Sequence, residues 1–475
     1  MASSIKDGLL EQLAPVGQQH LLRFWDSLDA GGQKSLAQQL SLIDWAEFSR
    51  LKAEHEGVDD AADAKRRWRE IAERSKLPAA IRLGHEPQGY SRREARAAGE
   101  QALRDGKVAM ILVAGGLGTR LGFDLPKGMY QLGPVSNRTL FQILIDRLRA
   151  VSRRYGVSIP LYVMTSPATH DVTERFLTDN ETFGLPSEDV RLFQQGTMYA
   201  VDEKSFEVLL SSPGEIFTGP DGHGGMLKAL VQSGVLKEAR ERGIEHFFYG
   251  QIDNPLLTVC DPELIGSHQL GGSELTTQVV AKTDPKEKVG VVVEVEGRTQ
   301  IIEYVDLPAD LAEQRLEDGS LRFWAGNIAV HVFERAFLER TASQADALPF
   351  HTSLKKVPFV DGMGRPVEPS QPNAVRFERF IFDLLPHAGN ALVVEVHKAE
   401  AFAPVKNDDK SPTDSPSTAR AAMIAQSRDL LTEAGAKIAD GVSVEVNPLW
   451  ALDSTEAKRK LRPGSHITEP TYFAE

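Results

Sequence analysis

The segment Leu112–Tyr130, LVAGGLGTRLGFDLPKGMY, concentrates the residue types that bind phosphate. Gly115, Gly116, Gly118 and Gly122 let the backbone approach a ligand closely, with N–H groups free to meet phosphate oxygens. Arg120 and Lys127 add the positive charge that a triphosphate needs. Two better known phosphate loops fail on spacing. A P-loop requires Lys-Ser/Thr directly after its last glycine, and no such triplet follows here. A dinucleotide fingerprint started at Gly116 has Leu121 where its third glycine belongs, and no acidic residue lies between Leu125 and Ile145 to hold a ribose. Between Gly115 and Arg149 five basic residues face two acidic ones, a local +3 in a chain of net charge −13. Arg147 and Arg149 read as a solvated helix face, which leaves Arg120 and Lys127 as the phosphate pair.

Other residues could extend that chemistry. Gln195, in Gln194-Gln195-Gly196, offers an amide able to pair with a pyrimidine edge, and Gly219–Gly225 is a second glycine-rich turn, a backbone shelf for a base. Either segment alone is also an ordinary surface turn. Asp253 closes the apolar run His246–Ile252, and a carboxylate at a strand tip suits Mg²⁺, which takes one or two protein carboxylates beside phosphates. Asp-Asn-Pro is equally a common turn. Glu303 and Asn327 are polar residues in apolar strands, so they must find partners, either sugar hydroxyls or backbone amides. Cys260 has no base beside it, and the twelve histidines show no metal-ligand spacing.

The elements that must position these residues alternate. Lys107–Ala114 is a continuous apolar run, as in a strand buried on both faces of a parallel sheet. A helix is expected over Thr139–Val151, then strands at Leu161–Thr165, Val190–Phe193 and His246–Ile252, with helices at Asp171–Thr178 and Gly225–Arg240. Strand–helix alternation implies a Rossmann-like, doubly wound α/β sheet with ligands at the carboxyl ends of its strands. From about residue 274 to 335 the pattern turns β-rich, at Thr276–Ala281, Val289–Val295, Thr299–Tyr304 and Asn327–Val332, as an antiparallel elaboration over the same site. Lys410–Thr418 reads as a mobile loop before a helix at Ala419–Ala434. Leu9, Leu10, Leu13, Leu21, Leu22, Trp25 and Leu28 recur at helical spacing, so the N-terminal part needs a surface to pack on. The expected division is a helical cap over 1–100, a catalytic domain over 101–390 and a small C-terminal lobe over 391–475.

Composition bounds the partners. The 475 residues carry 67 acidic against 54 basic groups, which argues against nucleic acid or an anionic membrane surface. The longest apolar stretch, around Val108–Gly118, is well short of the roughly 18 residues of a membrane span. A single cysteine permits no intrachain disulfide, and no apolar h-region follows Met1; both fit a reducing cytoplasm.

The run L-x-A-G-G-x-G-T-R-L-G, then P-K-G-M-Y and Thr139-Leu140-Phe141-Gln142, resembles the UDP-sugar pyrophosphorylase family in its eukaryotic-type UDP-N-acetylglucosamine branch. The similarity extends from Gln19–Trp25 to Val446–Leu449. The resemblance implies a nucleotide-diphospho-sugar transferase fold and transfer of uridylyl from UTP to a sugar 1-phosphate, with Mg²⁺ or Mn²⁺. It assigns Ala114, Gly115, Gly116, Gln195, Gly222 and His223 to the nucleotide, where the family commonly has Asn at the position of His223. Asp253 becomes the metal aspartate, and Arg120 and Lys127 the groups at the leaving pyrophosphate. Lys406, in Pro404-Val405-Lys406-Asn407, becomes the lysine at the attacking phosphate. Gly290, Glu303 and Asn327 match the sugar positions, and Phe380 and Phe382 the aromatics beside the 2-substituent. A UDP-glucose or broad-specificity enzyme on the same scaffold is the alternative within the class. A catalytically silent nucleotide-sugar-binding protein is disfavoured, because Arg120, Lys127, Asp253 and Lys406 are all present.

Overall fold

The computed structural model describes residues 2–57, 61–344 and 347–474, so Met1 and residues 58–60 of the expected cap lie outside it. Two compact units emerge, neither contiguous in sequence. The smaller comprises 1–70, 196–225 and 348–381, and the larger 71–195, 226–347 and 382–475. Among the described residues no helix is long and apolar enough to cross a membrane.

The larger unit is built on a ten-stranded sheet. Its main path runs Ala80–Ile81, Ala391–Glu395, Leu275–Ala281, Ala325–Glu334, His246–Gln251, Val108–Val113, Leu161–Thr165 and Val190–Gln194. Every neighbouring pair on that path is parallel except the two made by Ala325–Glu334. The central strands are apolar on both sides because helices cover both faces; Val108–Leu112 and Leu161–Thr165 are fully buried. The β-rich stretch is therefore not a layer laid over the site. Leu275–Ala281 and Ala325–Glu334 are members of the main sheet, and the hairpin Val291–Val295/Arg298–Ile302 joins it through Val291 opposite Gly326. Periodicity reports burial, not which strand pairs with which, so sequence placed these strands in the wrong layer.

Chain order reverses at one place. The strands after Val108–Val113 step outward to Val190–Gln194, and His246–Gln251 then returns to the other side of Val108–Val113. The crevice between those two strands is the topological switch point, where ligands bind in open α/β sheets.

Local chemistry sets the helices. Leu140–Tyr155 begins where the Thr139 side chain accepts the Gln142 N–H and the Gln142 amide accepts the Thr139 N–H in return. It ends at Gly156, at φ 67°. Leu140, Ile143, Leu144, Leu148 and Val151 form its buried stripe, each contributing about 1.5–3 kcal/mol of burial. The expected single helix Gly225–Arg240 is two, Met226–Gln232 and Val235–Glu241, because Gly234 takes φ 77° between them. Arg92–Arg104 and Pro262–Leu270 cross backbone to backbone: a Cβ on Gly99 would sit 1.8 Å from the Pro262 carbonyl oxygen. Pro416–Glu433 starts three residues before the expected position, since Ser415 caps it and Pro416 fits its first turn. The C-terminal residues add two small parallel ladders, Lys437–Ile438 with His466–Ile467 and Val444–Val446 with Thr471–Phe473.

In the smaller unit an antiparallel sheet, ordered His351–Lys355, Ala374–Glu378, Thr197–Asp202 and Thr218–Pro220, supplies the surface that the N-terminal helices need. Leu13, Leu21, Trp25, Leu36 and Phe48 are buried with Tyr199, Val201 and Phe377.

Candidate active site

In the larger unit the switch point gathers the glycine loop, Gln195, Lys127, Asp253 and the Lys406 segment. The glycine loop leaves Val108–Val113 and is fastened at both ends. The Ser166 hydroxyl donates to the Gly115 carbonyl at 2.8 Å, and the Lys127 N–H donates to the Gly116 carbonyl at 3.0 Å. Ala114 is buried at the strand end. A Cβ on Gly115 would lie 3.2 Å from the Gln195 side-chain oxygen, so that amide is brought against the loop. Around Gly116 nothing lies within 4 Å of a Cβ position, which leaves its backbone open to a ligand. Arg120 is exposed on the turn Thr119–Leu121 and has no ion-pair partner among the described residues.

Several motif positions serve packing. A Cβ on Gly128 would meet Phe141 at 2.2 Å, and the Leu140 N–H donates to the Tyr130 carbonyl. Thus P-K-G-M-Y and T-L-F-Q lock to each other and fix the start of the turn Lys127–Met129.

Asp253 follows His246–Gln251 and is 9% exposed. Its carboxylate lies 3.6 Å from the Lys127 ammonium. Its backbone carbonyl accepts the Val405 N–H at 2.8 Å. Asn254 completes the attachment: its amide donates to the Ala401 carbonyl at 2.7 Å and accepts the Ala403 N–H at 3.2 Å. Through these bonds the strand that carries Asp253 also presents Lys406.

Sequence reasoning missed Asp414, which lies inside the stretch read as a mobile loop. It adopts φ 54°, and its carbonyl accepts the N–H groups of Lys406 and Asn407 at 2.7 and 2.9 Å. Burial raises the Asp414 carboxyl above the usual carboxylate range, with Lys406 and Lys398 pulling the other way and Asp253 adding to the rise. Asp is among the few residues that tolerate a left-handed backbone, a weak signal before Ser415-Pro416. Lys282, also unflagged, is 5% exposed beside Gly326, and burial lowers its pKa.

The sugar-position residues cluster at the hairpin. The Gly290 carbonyl accepts the Asn327 N–H at 2.8 Å, and a Cβ on Gly290 would collide with the Glu303 carboxylate at 2.6 Å. Asn327 is 9% exposed, and its side-chain oxygen accepts the N–H of Ala329, which sits at φ 54° in the bulge of that strand. Backbone partnership therefore uses the oxygen and leaves the amide NH₂ for another partner. Glu303 differs from expectation: it lies just past the strand end at Ile302 and is partly exposed.

The local +3 is mostly structural. Asp146 takes Arg138 at 2.7 Å and Arg149 at 3.5 Å, and Arg147 donates to Gln426. Arg147 and Arg149 are thus built into contacts, not solvated as expected, and burial brings Arg147 down to about 10.

In the smaller unit Gly222, at φ 85°, and Gly224 let the turn press on residue 379: Cβ atoms there would lie 2.4 and 2.6 Å from its backbone. His223 accepts the Ile381 N–H on Nδ1 at 3.2 Å and stacks on Phe380 at 5.3 Å. Burial, with His351 nearby, holds the His223 imidazole down at about 4. Phe380 also meets His351 at 4.4 Å. Phe382 belongs to the larger unit, in the short helix Ile381–His387, and is 5% exposed.

A glycine loop, a strand-tip aspartate and a fastened lysine segment at the switch point of a mixed sheet define a nucleotide-handling α/β enzyme. A family model described as UTP–glucose-1-phosphate uridylyltransferase matches residues 65–452, and the chain belongs to that family of uridylyltransferases, the UDP-sugar pyrophosphorylases. A human protein named UDP-N-acetylhexosamine pyrophosphorylase-like protein 1 is 36% identical over 442 residues, covering 90% of this chain and 86% of its own. A Saccharomyces cerevisiae protein named UDP-N-acetylglucosamine pyrophosphorylase is 36% identical over 356 residues, 74% of this chain and 75% of its own. A solved uridine diphosphate N-acetylglucosamine pyrophosphorylase from Trypanosoma brucei superposes with a TM-score of 0.77 at 25% identity, covering 98% of both chains.

Proposed function

We propose that this uridylyltransferase joins UTP and N-acetylglucosamine 1-phosphate into UDP-N-acetylglucosamine, releasing pyrophosphate. The observation that carries the reading is the fastening of the Lys406 segment to Asp253-Asn254, beside a glycine loop whose lysine reaches Asp253. The relatives' names support the choice of N-acetylhexosamine.

An oxygen of the sugar phosphate attacks the α-phosphorus. The new P–O bond forms as the bond to the bridging oxygen breaks, and pyrophosphate leaves with that electron pair. The attacking phosphate is already anionic, so alignment and charge neutralisation suffice without a general base. Lys406 orients and neutralises the attacking phosphate, while Arg120 and Lys127 stabilise the charge growing on pyrophosphate. Gln195 contacts the base, and Gly290, Glu303 and Asn327 the sugar.

The residues present fit a Mg²⁺ that arrives on the nucleotide. Among the described residues no three His, Cys, Asp or Glu side chains cluster to hold an ion alone. Phosphate-borne Mg²⁺ needs only one or two carboxylates, and Asp253, with Asp414 close enough to feel its charge, would supply them. When bound, the ion withdraws charge from the phosphates.

The test is pyrophosphate release from UTP with GlcNAc-, GalNAc-, glucose- and galactose-1-phosphates, with and without Mg²⁺. Turnover is expected with the N-acetylhexosamine substrates; turnover with glucose or galactose 1-phosphate alone would replace this reading with the UDP-glucose one.

A further inference from the structure

A cavity of about 110 Å³ lies in the larger unit between the sheet and the helices that cross at Gly99. Its inner wall is Gln278, on the strand Leu275–Ala281 opposite Val394. Gln278 is 4% exposed, yet its side-chain amide makes no hydrogen bond among the described residues. Its polar atoms open onto the cavity instead of a protein partner, so the amide is available to a ligand's polar group.

The rest of the lining sets the ligand's charge. Glu263 is engaged by Arg92 at 2.5 Å, and Glu395 by Arg82 at 2.6 Å. Asp261 and Glu400, also on the wall, have no ion-pair partner among the described residues. Asp261 accepts only backbone N–H groups, at the start of Pro262–Leu270, with Arg96 the cation facing it from the crossing helix. Burial and the neighbouring Glu263 push its carboxyl up to about 6, the response of a carboxylate short of positive charge. His397 stands at the same wall. An anion would meet Asp261 and Glu400, two carboxylates outside any ion pair among the described residues. A directly held metal ion is disfavoured too, since no three ligating side chains converge among the described residues.

We propose that this cavity binds a small protonated amine, its ammonium between Asp261 and Glu400 and its remaining polar group on the Gln278 amide. The site is separate from the glycine loop and independent of which sugar the enzyme uses.

Ethanolamine is the probe and ethylene glycol its neutral counterpart, each titrated calorimetrically into the full chain. Saturable binding of ethanolamine alone is expected. Gln278→Leu removes the inner partner while keeping an apolar side chain of similar length. Glu400→Gln changes an exposed residue on the short helix Lys398–Ala401, so folding is not at stake. Each variant should weaken ethanolamine about tenfold, the scale of one charge-assisted or buried hydrogen bond. Equal binding of the two probes, binding of neither, or wild-type affinity in both variants would overturn the proposal.

Discussion

The Lys127 ammonium and the Asp253 carboxylate stand 3.6 Å apart, each largely screened from solvent by the fold. The side chain proposed for the leaving group and the one proposed for the metal thus occupy each other before any nucleotide arrives. On the proposed mechanism both would exchange that partner, Lys127 for a phosphate and Asp253 for a cation riding on the same nucleotide.

Such an exchange would make Lys127 a brake on premature metal binding. Lys127→Met should therefore bind Mn²⁺ more tightly than the wild type in nucleotide-free protein, while kcat falls by about two to three orders of magnitude, the scale of a lost transition-state contact. Titration of Mn²⁺ by electron paramagnetic resonance reads the first effect without turnover. Unchanged or weaker Mn²⁺ binding would show that the pair does not restrain the carboxylate.

Two glycines of the same motif should respond in opposite ways. A Cβ at Gly116 meets nothing within 4 Å, so Gly116→Ala should fold with an unchanged Tm and lose UTP affinity. A Cβ at Gly128 would enter the Phe141 ring at 2.2 Å, so Gly128→Ala should lose about 1–3 kcal/mol of stability, with partial rescue by Phe141→Leu. Thermal unfolding beside UTP titration separates the two; a Gly116 variant that unfolds early would mean its backbone is structural.

Asn254 is expected to act at a distance. Its amide holds the Ala401 carbonyl and the Ala403 N–H, so Asn254→Ala frees the segment leading to Lys406. Loss of these buried bonds should cost about 1–3 kcal/mol and raise KM for the sugar phosphate about tenfold, with the KM for UTP little changed. Equal rises in both constants would count against a role through Lys406.

Acid should destabilise the protein through its buried histidines. Folded His223 and His246 take up a proton only near pH 4, and His268 near 3, because burial disfavours the charged ring. Unfolded chain protonates near its ordinary value of about 6.5. The unfolded state therefore binds more protons through that window, and stability falls as pH drops through it. His223→Asn should remove its share, about 2 kcal/mol over that range, measured as a smaller fall in Tm between about pH 7 and pH 5. An identical fall in the variant would place the acid sensitivity elsewhere.

What the sequence disclosed follows from what burial periodicity can encode. Leu161–Thr165 was legible to the residue because a strand buried on both faces is uniformly apolar. The placing of the glycine loop and Asp253 at carboxyl strand ends was legible for the same reason. Pairing partners were not: nothing local says that Thr197–Asp202 lies beside Ala374–Glu378, or that Ala325–Glu334 runs antiparallel inside a parallel sheet. Charge misled where folding buried it, since Arg138 and Arg149 spend theirs on Asp146. Gly128 sits in the same run as the phosphate glycines, although its contact is Phe141. Asp414 stayed hidden because its part is a backbone carbonyl and a left-handed turn, neither of which residue type reports.

Competition between two sugar phosphates decides whether the chain transfers uridylyl to an N-acetylhexosamine phosphate. Wild-type protein would receive UTP, Mg²⁺ and equal amounts of N-acetylglucosamine 1-phosphate and glucose 1-phosphate, with the UDP-sugars resolved by mass spectrometry at low conversion. UDP-N-acetylglucosamine as the dominant product, and its loss in Asp253→Asn, is the expected result. UDP-glucose in excess, or undiminished product from the Asp253 variant, would contradict it.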